Sequence, residues 1–298
     1  MFVEIKTVSE LSELNKQFAA AIGFFDGVHL AHQQVIRTAV EKASEKAFKS
    51  LVVTFDRSPK ADSQFLTPLT IKLQLFAELG VDYVLVLTFD EILKQLTAQD
   101  FITNYLVRLG VGFVSVGFDF KFGHLGVGNI ALLQNQSTLA VAVCEPKLMD
   151  DKKVSTTRIK KSLQFGDIGA ANAMLGRNFS VQGKVVYGQQ LGRTIGFPTA
   201  NVQLDEQQFL GLTGVYATRV TVNGQIYSAM TNIGYNPTAN QQNELSVETN
   251  IFDFAADIYG ERVQIEFLQK IRNEMKFAGI DELVSQLKQD QKIAENTQ

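Results

Sequence analysis

The sequence predicts two domains of different class, an α/β domain over residues 1–178 and a β domain over residues 179–298. Three observations carry this. In the first half, short apolar runs alternate with longer amphipathic segments, the pattern of a doubly wound parallel sheet with ligands at the carboxyl ends of its strands. After Gly176 the pattern changes to β-branched and aromatic runs separated by turn glycines, as in a compact antiparallel barrel or sandwich. Finally, Gly23–Gln34 places two of the chain's three histidines, His29 and His32, at a strand-to-helix turn.

Taken in order, an apolar stretch precedes Gly23, and Leu51–Phe55, Tyr83–Thr88, Val111–Val116 and Leu139–Val143 read as buried strands. Ile71–Leu79 and Phe101–Leu109 have helical periodicity and end at Gly80 and Gly110, both suitable C-caps. Thr97 with Asp100 resembles a capping box. Ser155–Leu175 reads as one helix ending at Gly176. Val181–Tyr187, Val215–Val222, Gln225–Thr231, Val247–Phe254 and Arg262–Leu268 read as strands, with Asn223-Gly224 a strong hairpin signal. Ala239–Glu244 reads as a loop and Ile280–Lys288 as a terminal amphipathic helix.

With 45% hydrophobic and 20% charged residues, the chain is expected to bury a packed core. A net charge of −3 with no basic stripe argues against a nucleic-acid surface. The single cysteine, Cys144, lies beside an apolar run and reads as an inert core thiol. The amino-terminal residues lack a signal-peptide core, and no apolar run approaches the roughly 20 residues needed to span a bilayer. A soluble cytoplasmic protein is expected, with no membrane partner.

Gly23, Phe25, Asp26, Gly27, His29 and His32 form a turn suited to phosphate. Glycine lets the backbone approach closely, a helix start offers unpaired N–H groups, and imidazoles can bond oxygens as charge develops. Packing, capping and metal binding are the other uses of such a histidine pair. His124 ends the glycine-rich segment Val116–His124, where Asp119 and Lys121 are placed to line a nucleotide or a planar ligand. Ser155-Thr156-Thr157 followed by Arg158, Lys160 and Lys161 suits a polyphosphate clamp, although one hydroxyl there is accounted for as an N-cap. In the second half, Gly192–Asn201 sets the hydroxyl of Thr199 and the amide of Asn201 side by side, hard oxygen donors that suit Mg²⁺. Glu248, a lone glutamate in a predicted strand, reads on its own as solvent-facing.

Together, Phe-Asp-Gly-Val-His-x-x-His, Val-Gly-x-Asp-Phe-x-Phe-Gly and Ser-Thr-Thr resemble the adenylyltransferase module of prokaryotic bifunctional riboflavin kinase/FAD synthetases, members of the nucleotidylyltransferase superfamily. The segments Gly183–Gly188, Gly192–Asn201, Gly214–Tyr216, Asn232–Thr238, Val247–Thr249, Asp253-Phe254, Tyr259-Gly260 and Phe267–Arg272 resemble their riboflavin kinase module, a β-barrel with a terminal helix. The resemblance implies ATP-dependent phosphorylation of riboflavin to FMN in the second domain and adenylylation of FMN to FAD in the first, with Mg²⁺ and no nucleic acid. It implies Glu248 as general base, Thr199 and Asn201 at the metal, and Gly183, Lys184, Gly192 and Arg193 at ATP. In the first domain it implies ATP contacts from His29, His32, Ser155, Thr156, Thr157 and Arg158, with Asp119 and Phe120 at the flavin. Departures are Ala31 for glycine, Ser58 for histidine, Lys160 for arginine and Asn250 for histidine. Ala31 is expected to be strained wherever φ is positive. A chain with one working half, the kinase, and a flavin binder without turnover are the alternative readings.

Overall fold

Alanines at 19–21 between Phe18 and Ile22 make a narrow, wholly buried strand that helices cover closely on both faces. That strand is central in the computed structural model, which describes residues 3–57, 64–188, 191–204, 208–235 and 245–297. The chain divides into two compact units, Met1–Thr156 and Thr157–Gln298.

The first unit begins with β1 (Glu4–Ile5), α1 (Val8–Glu13), β2 (Phe18–Ile22), α2 (Leu30–Lys46), β3 (Lys49–Phe55), α3 (Leu69–Glu78) and β4 (Tyr83–Leu87). It continues with α4 (Glu91–Gln95), α5 (Ala98–Ile102), a π-helical turn at Thr103–Val107, β5 (Val111–Gly117), a short 3₁₀ turn at His124–Gly126, α6 (Ile130–Gln134) and β6 (Ala140–Cys144). A small hairpin, β7 (Leu148–Met149) and β8 (Lys152–Lys153), follows. The main sheet has the order β1-β4-β3-β2-β5-β6, with every pair parallel. Successive strands run outward from β2 in one direction and then from β5 in the other, so the switch point lies between β2 and β5. Ligands bind at such a point, beyond the carboxyl ends of the strands. One apolar cluster joins Leu51, Val53, Val114 and Val116 to Phe101, Ile102 and Leu106. A second joins Val52 and Val84 to Ile36 and Phe76. Neighbouring β3 residues point to opposite faces and so serve different clusters. Cys144 is buried, its Sγ 3.6 Å from the hydroxyls of Thr38 and Ser115.

The helix expected over Phe101–Leu109 is α5 continued by the π-helical turn. Thr97 caps α5 by accepting from the Asp100 amide, and a complete capping box occurs instead at Thr7 and Glu10.

The second unit opens with α7 (Thr156–Gln164), whose first residue belongs to the first unit, and α8 (Ile168–Leu175). The expected single helix over Ser155–Leu175 is therefore two. Gly166 has φ +73°, a conformation that ends α7, and the Asp167 carboxylate caps α8 through the Ala170 amide. Then come β9 (Phe179–Val186), α9 (Leu191–Thr194), β10 (Ala200–Leu204), β11 (Gly214–Val222), β12 (Gln225–Tyr235), β13 (Leu245–Ile251), β14 (Arg262–Arg272) and α10 (Ile280–Glu295). The strands close into an antiparallel six-stranded barrel, β10-β13-β12-β11-β14-β9, which settles the choice between barrel and sandwich. Asn223 (φ 49°) and Gly224 (φ 81°) make the expected two-residue hairpin turn. The Asn172 side chain donates to the Phe267 carbonyl (2.9 Å) and accepts from the Phe179 amide (2.7 Å), fastening α8 to the barrel. Residues 239–244 and Ser58 lie outside the described residues.

Candidate active sites

The first candidate site starts where β2 ends. The Gly23 amide donates to the Val53 carbonyl (3.1 Å), and the chain then turns through Phe25 (φ 53°), Gly27 (φ 88°) and Val28 (φ 40°). A β-branched residue in the left-handed region is strained and persists only where its surroundings over-determine it. They do so here. The Asp26 carboxylate accepts from the Thr67 amide (3.2 Å), its carbonyl accepts from Thr156 Oγ1 (2.9 Å), and the Phe24 carbonyl accepts from Thr54 Oγ1 (3.1 Å). His29 then caps α2, its Nδ1 accepting from the His32 amide (3.4 Å). A neutral ring that accepts at Nδ1 carries its proton on Nε2, as a donor. The two imidazoles stack at 3.5 Å with planes 16° apart, and Phe25 meets His32 edge-on. Ala31 lies in the first turn of α2, with φ outside the positive region. The strain expected for a left-handed Ala31 therefore does not arise.

Beside this turn, a cavity of about 780 Å³ is lined by Gly23, Phe24, Phe55, Phe89, Asp119 and Phe120, among others. Asp119 and Phe120 follow the carboxyl end of β5, across the switch point from the histidine turn. Phe120 and Phe122 stack at 5.5 Å. His124 belongs to the same wall and is held by contacts from its Nδ1 to the Lys94 carbonyl (2.8 Å) and from its amide to the Leu96 carbonyl (2.7 Å). Two segments distant in sequence thus meet, with Thr156 from a third. Ser155 directly precedes α7, while Thr157 and Arg158 belong to the second unit.

The second candidate site is on the barrel. Glu248 on β13 stands opposite Asn201 on β10 and Asn232 on β12, so the three form a row across neighbouring strands. Glu248 and Asn250 line a cavity of about 250 Å³ with Asn232, Thr199 and Leu283 and Leu287 of α10. Thr249 and Ile251, on the opposite face of the same strand, line a larger cavity of about 690 Å³ with Arg193 and Thr199. Thr199 is common to both cavities. Asn250 Nδ2 donates to the Pro198 carbonyl (2.6 Å), so this residue anchors the turn that presents Thr199. Burial raises the Glu248 carboxyl above its ordinary value, as suits a base working nearer neutrality. A Cβ on Gly188 would fall within the Asn201 side chain, so only glycine leaves that amide in place. Tyr187 and Tyr259 stack at 3.9 Å on the rim of the larger cavity. Gly192 lines the smaller cavity. Gly183 and Lys184 line neither; Gly183 is explained by the close approach of the Gln203 backbone, and Lys184 is exposed.

The FAD synthetase family model matches residues 11–158, and the riboflavin kinase family model matches residues 175–298. The bifunctional riboflavin kinase/FMN adenylyltransferase of Listeria monocytogenes is 38% identical, over 96% of this chain and 93% of its own. The chain belongs to the bifunctional riboflavin kinase/FMN adenylyltransferase family. Members from Bacillus subtilis (38% identical, 95% of this chain and 93% of its own) and Escherichia coli (36%, 97% and 96%) match similarly. A solved structure described as a macrolide-efflux protein from Streptococcus pneumoniae superposes with a TM-score of 0.88 at 31% identity, over 99% of both chains. Among the described residues no helix is long and apolar enough to cross a membrane.

Within this family framework, several residues make contacts that the sequence did not show. Asn232 completes the row with Glu248, and Phe24, Phe55 and Phe89 are three of the six phenylalanines in the wall of the aromatic cavity. Arg272 pairs through Nε (2.9 Å) and Nη2 (2.8 Å) with the fully buried Asp290, which also accepts from Gln286 (2.9 Å). That pair ties α10, one wall of the smaller cavity, to β14. Lys160 sits over the Phe209 ring at 5.1 Å. Lys72, 3% exposed in α3, was hidden because amphipathic reasoning assigns lysine to the surface.

Proposed function

We propose that the chain converts riboflavin to FMN in the barrel and FMN to FAD in the parallel-sheet unit, using ATP in both steps. The observation that carries the reading is the row Asn201, Glu248, Asn232, whose Glu248 and Asn232 line the smaller cavity together with Thr199, the residue that also lines the larger one. A kinase needs an acceptor pocket with a base in its wall and a nucleotide pocket beside it, and Thr199 joins the two here. Riboflavin occupies the smaller cavity, and Glu248 takes the proton from the terminal ribityl hydroxyl as that oxygen attacks the γ-phosphorus, with ADP leaving. ATP occupies the larger cavity beside Arg193.

Thr199 and Asn201 would hold Mg²⁺, a hydroxyl and an amide oxygen being the hard donors that ion prefers, and the ion would offset phosphate charge. Among the described residues no His/Cys/Asp/Glu cluster offers a competing metal site. In the first unit the FMN phosphate attacks the α-phosphorus of ATP and pyrophosphate leaves. No covalent nucleophile is needed, only positioning and charge stabilisation. His29, through Nε2, and His32 act on the phosphates with the Gly23–Gly27 backbone, Ser155 and Thr156. The aromatic cavity with Asp119 and Phe120 takes the isoalloxazine. We assign adenylyl transfer to residues 1–178, counting α7 and α8 with that domain, and the kinase to 179–298. The enzyme works in the cytoplasm.

The test is to incubate the purified protein with Mg-ATP and either riboflavin or FMN and to resolve the flavins chromatographically. FMN and then FAD from riboflavin, and FAD from FMN, are expected. FMN without FAD from either substrate refutes the two-step reading, and flavin binding without product refutes catalysis.

A further inference from the structure

Lys72 is a buried cation with no part in the chemistry described so far. It stands on α3, and its Nζ donates to the Phe24 carbonyl (3.1 Å), Thr54 Oγ1 (3.4 Å) and the Phe55 carbonyl (3.4 Å). The same Nζ lies 4.7 Å from the centre of the Phe24 ring. Phe24 is where the two parts of the first site meet. Its ring lines the aromatic cavity, and its carbonyl begins the turn whose Phe25 and Val28 are held in the left-handed region. Thr54 Oγ1 donates to that same carbonyl, so Phe24 is gripped from the end of β3 and from α3 together.

We propose that Lys72 is a positioning residue for adenylyl transfer, holding the strained Phe25–Val28 turn and the Phe24 ring in the geometry that aligns His29 with the ATP phosphates. The proposal rests on the adenylyltransferase reading of the first unit. It also explains a lysine that packing alone would not select, since an apolar side chain of similar length would fill the space without desolvating a charge.

The grip depends on protonation. An ammonium has a proton for each of its three acceptors, whereas a neutral amine has only two and no cation to set against the ring. Burial lowers the Lys72 pKa to about 8, against the opposing influence of Asp26 and Asp56. These are the charged groups that face it. Asp26 comes from the histidine turn, and Asp56 from the end of β3, where it accepts from the Phe89 amide (2.9 Å) and pairs with Arg57 (3.5 Å). Lys72 is charged below pH 8 and loses its proton above it, so the turn loosens as pH rises through that value.

The experiment uses the full chain with Mg-ATP, following FAD formation from FMN and FMN formation from riboflavin in the same preparation across pH 6.5–9.5. For the natural protein, kcat for FAD formation is expected to fall above about pH 8, with no matching fall in FMN formation. Lys72→Met should lower kcat for FAD formation at least about tenfold at pH 7 and remove the basic limb, with FMN formation unchanged. A variant with natural kcat, or one that keeps the limb, overturns the proposal. Should Lys72→Met fail to fold, the natural protein decides alone, since a flat FAD profile through pH 8 also overturns it. Absence of FAD from the natural protein at every pH would instead overturn the adenylyltransferase reading itself.

Discussion

Replacing Glu248 with glutamine tests the kinase site at its centre. The change keeps shape and hydrogen-bonding capacity in the row with Asn201 and Asn232 but removes the proton acceptor. A positioned general base contributes about 10²–10⁴-fold, so kcat for FMN formation should fall by about that factor while the KM for riboflavin changes less than about threefold. Burial raises the Glu248 carboxyl above its ordinary value of 4.5, so the acid limb of the natural kcat profile should lie above that pH. The sign for stability runs the other way. A carboxyl whose pKa is raised by folding contributes stability present below 4.5, and that contribution is lost as pH rises through the folded value. At neutral pH the buried carboxylate therefore weighs on the fold, and Glu248→Gln should melt at or above the natural temperature. The assay is chromatographic product analysis with riboflavin and with FMN, beside thermal unfolding. FAD formation from FMN belongs to the other unit and should be unaffected. Equal loss of both activities, or FMN formation within about tenfold of natural, would refute the assignment of Glu248.

Gly188→Ala should lower FMN formation by more than about tenfold by driving its new methyl group into the Asn201 amide, with FAD formation from FMN preserved in the same chromatogram. Ala31→Gly should leave the rate of FAD formation unchanged, because Ala31 is helical, and lower stability in thermal melts by about 0.5–1 kcal/mol. Asp290→Ala should cost about 3–5 kcal/mol in denaturant unfolding by leaving the Arg272 guanidinium, 15% exposed, without its carboxylate. It should also raise the riboflavin KM, because α10 walls the smaller cavity; an unchanged KM would separate the helix from the pocket.

Local rules were enough to read the parallel sheet and the barrel strands, because both depend on patterns visible in single segments. The buried strand β3 is a continuous Val and Leu run, whereas β6, expected to be buried, is a sheet edge and only partly covered, and Asn223-Gly224 has the positive φ values that its hairpin needs. The break at Gly166 was missed because helical periodicity continues across it; the signal that could have revealed it was Gly166 followed by Asp167, a C-cap next to an N-cap. Strand β10 was missed because its residues belong to the Pro-Thr-Ala-Asn segment, and chemistry masked its role as a strand. Of the candidate sites, the histidine turn and Thr199 stood out through motif spacing, whereas Glu248 on its own reads as solvent-facing and gains a role only through the family resemblance. Asn232 facing Glu248 was not legible, because pairing across strands depends on register that no single segment encodes.

Three of the features assigned to chemistry also carry a cost to the fold. Val28 takes a backbone conformation that its branched side chain resists, Lys72 buries a charge, and Glu248 is half-buried with its carboxyl raised. Each departure has specific support nearby. The turn holding Val28 is fixed through Thr54, Thr67 and Thr156, Lys72 through three acceptors, and the Glu248 wall through Asn250 and the Pro198 carbonyl. Sequence rules for foldability should fail at such points, since they describe what lowers free energy locally rather than what a reaction requires. Lys72 is the sharpest case. Its place in an amphipathic helix, with Gln74 two residues on, gives no sign of burial in the sequence, and the structure turns it into a hydrogen-bonded grip on the residue shared by the phosphate turn and the aromatic cavity.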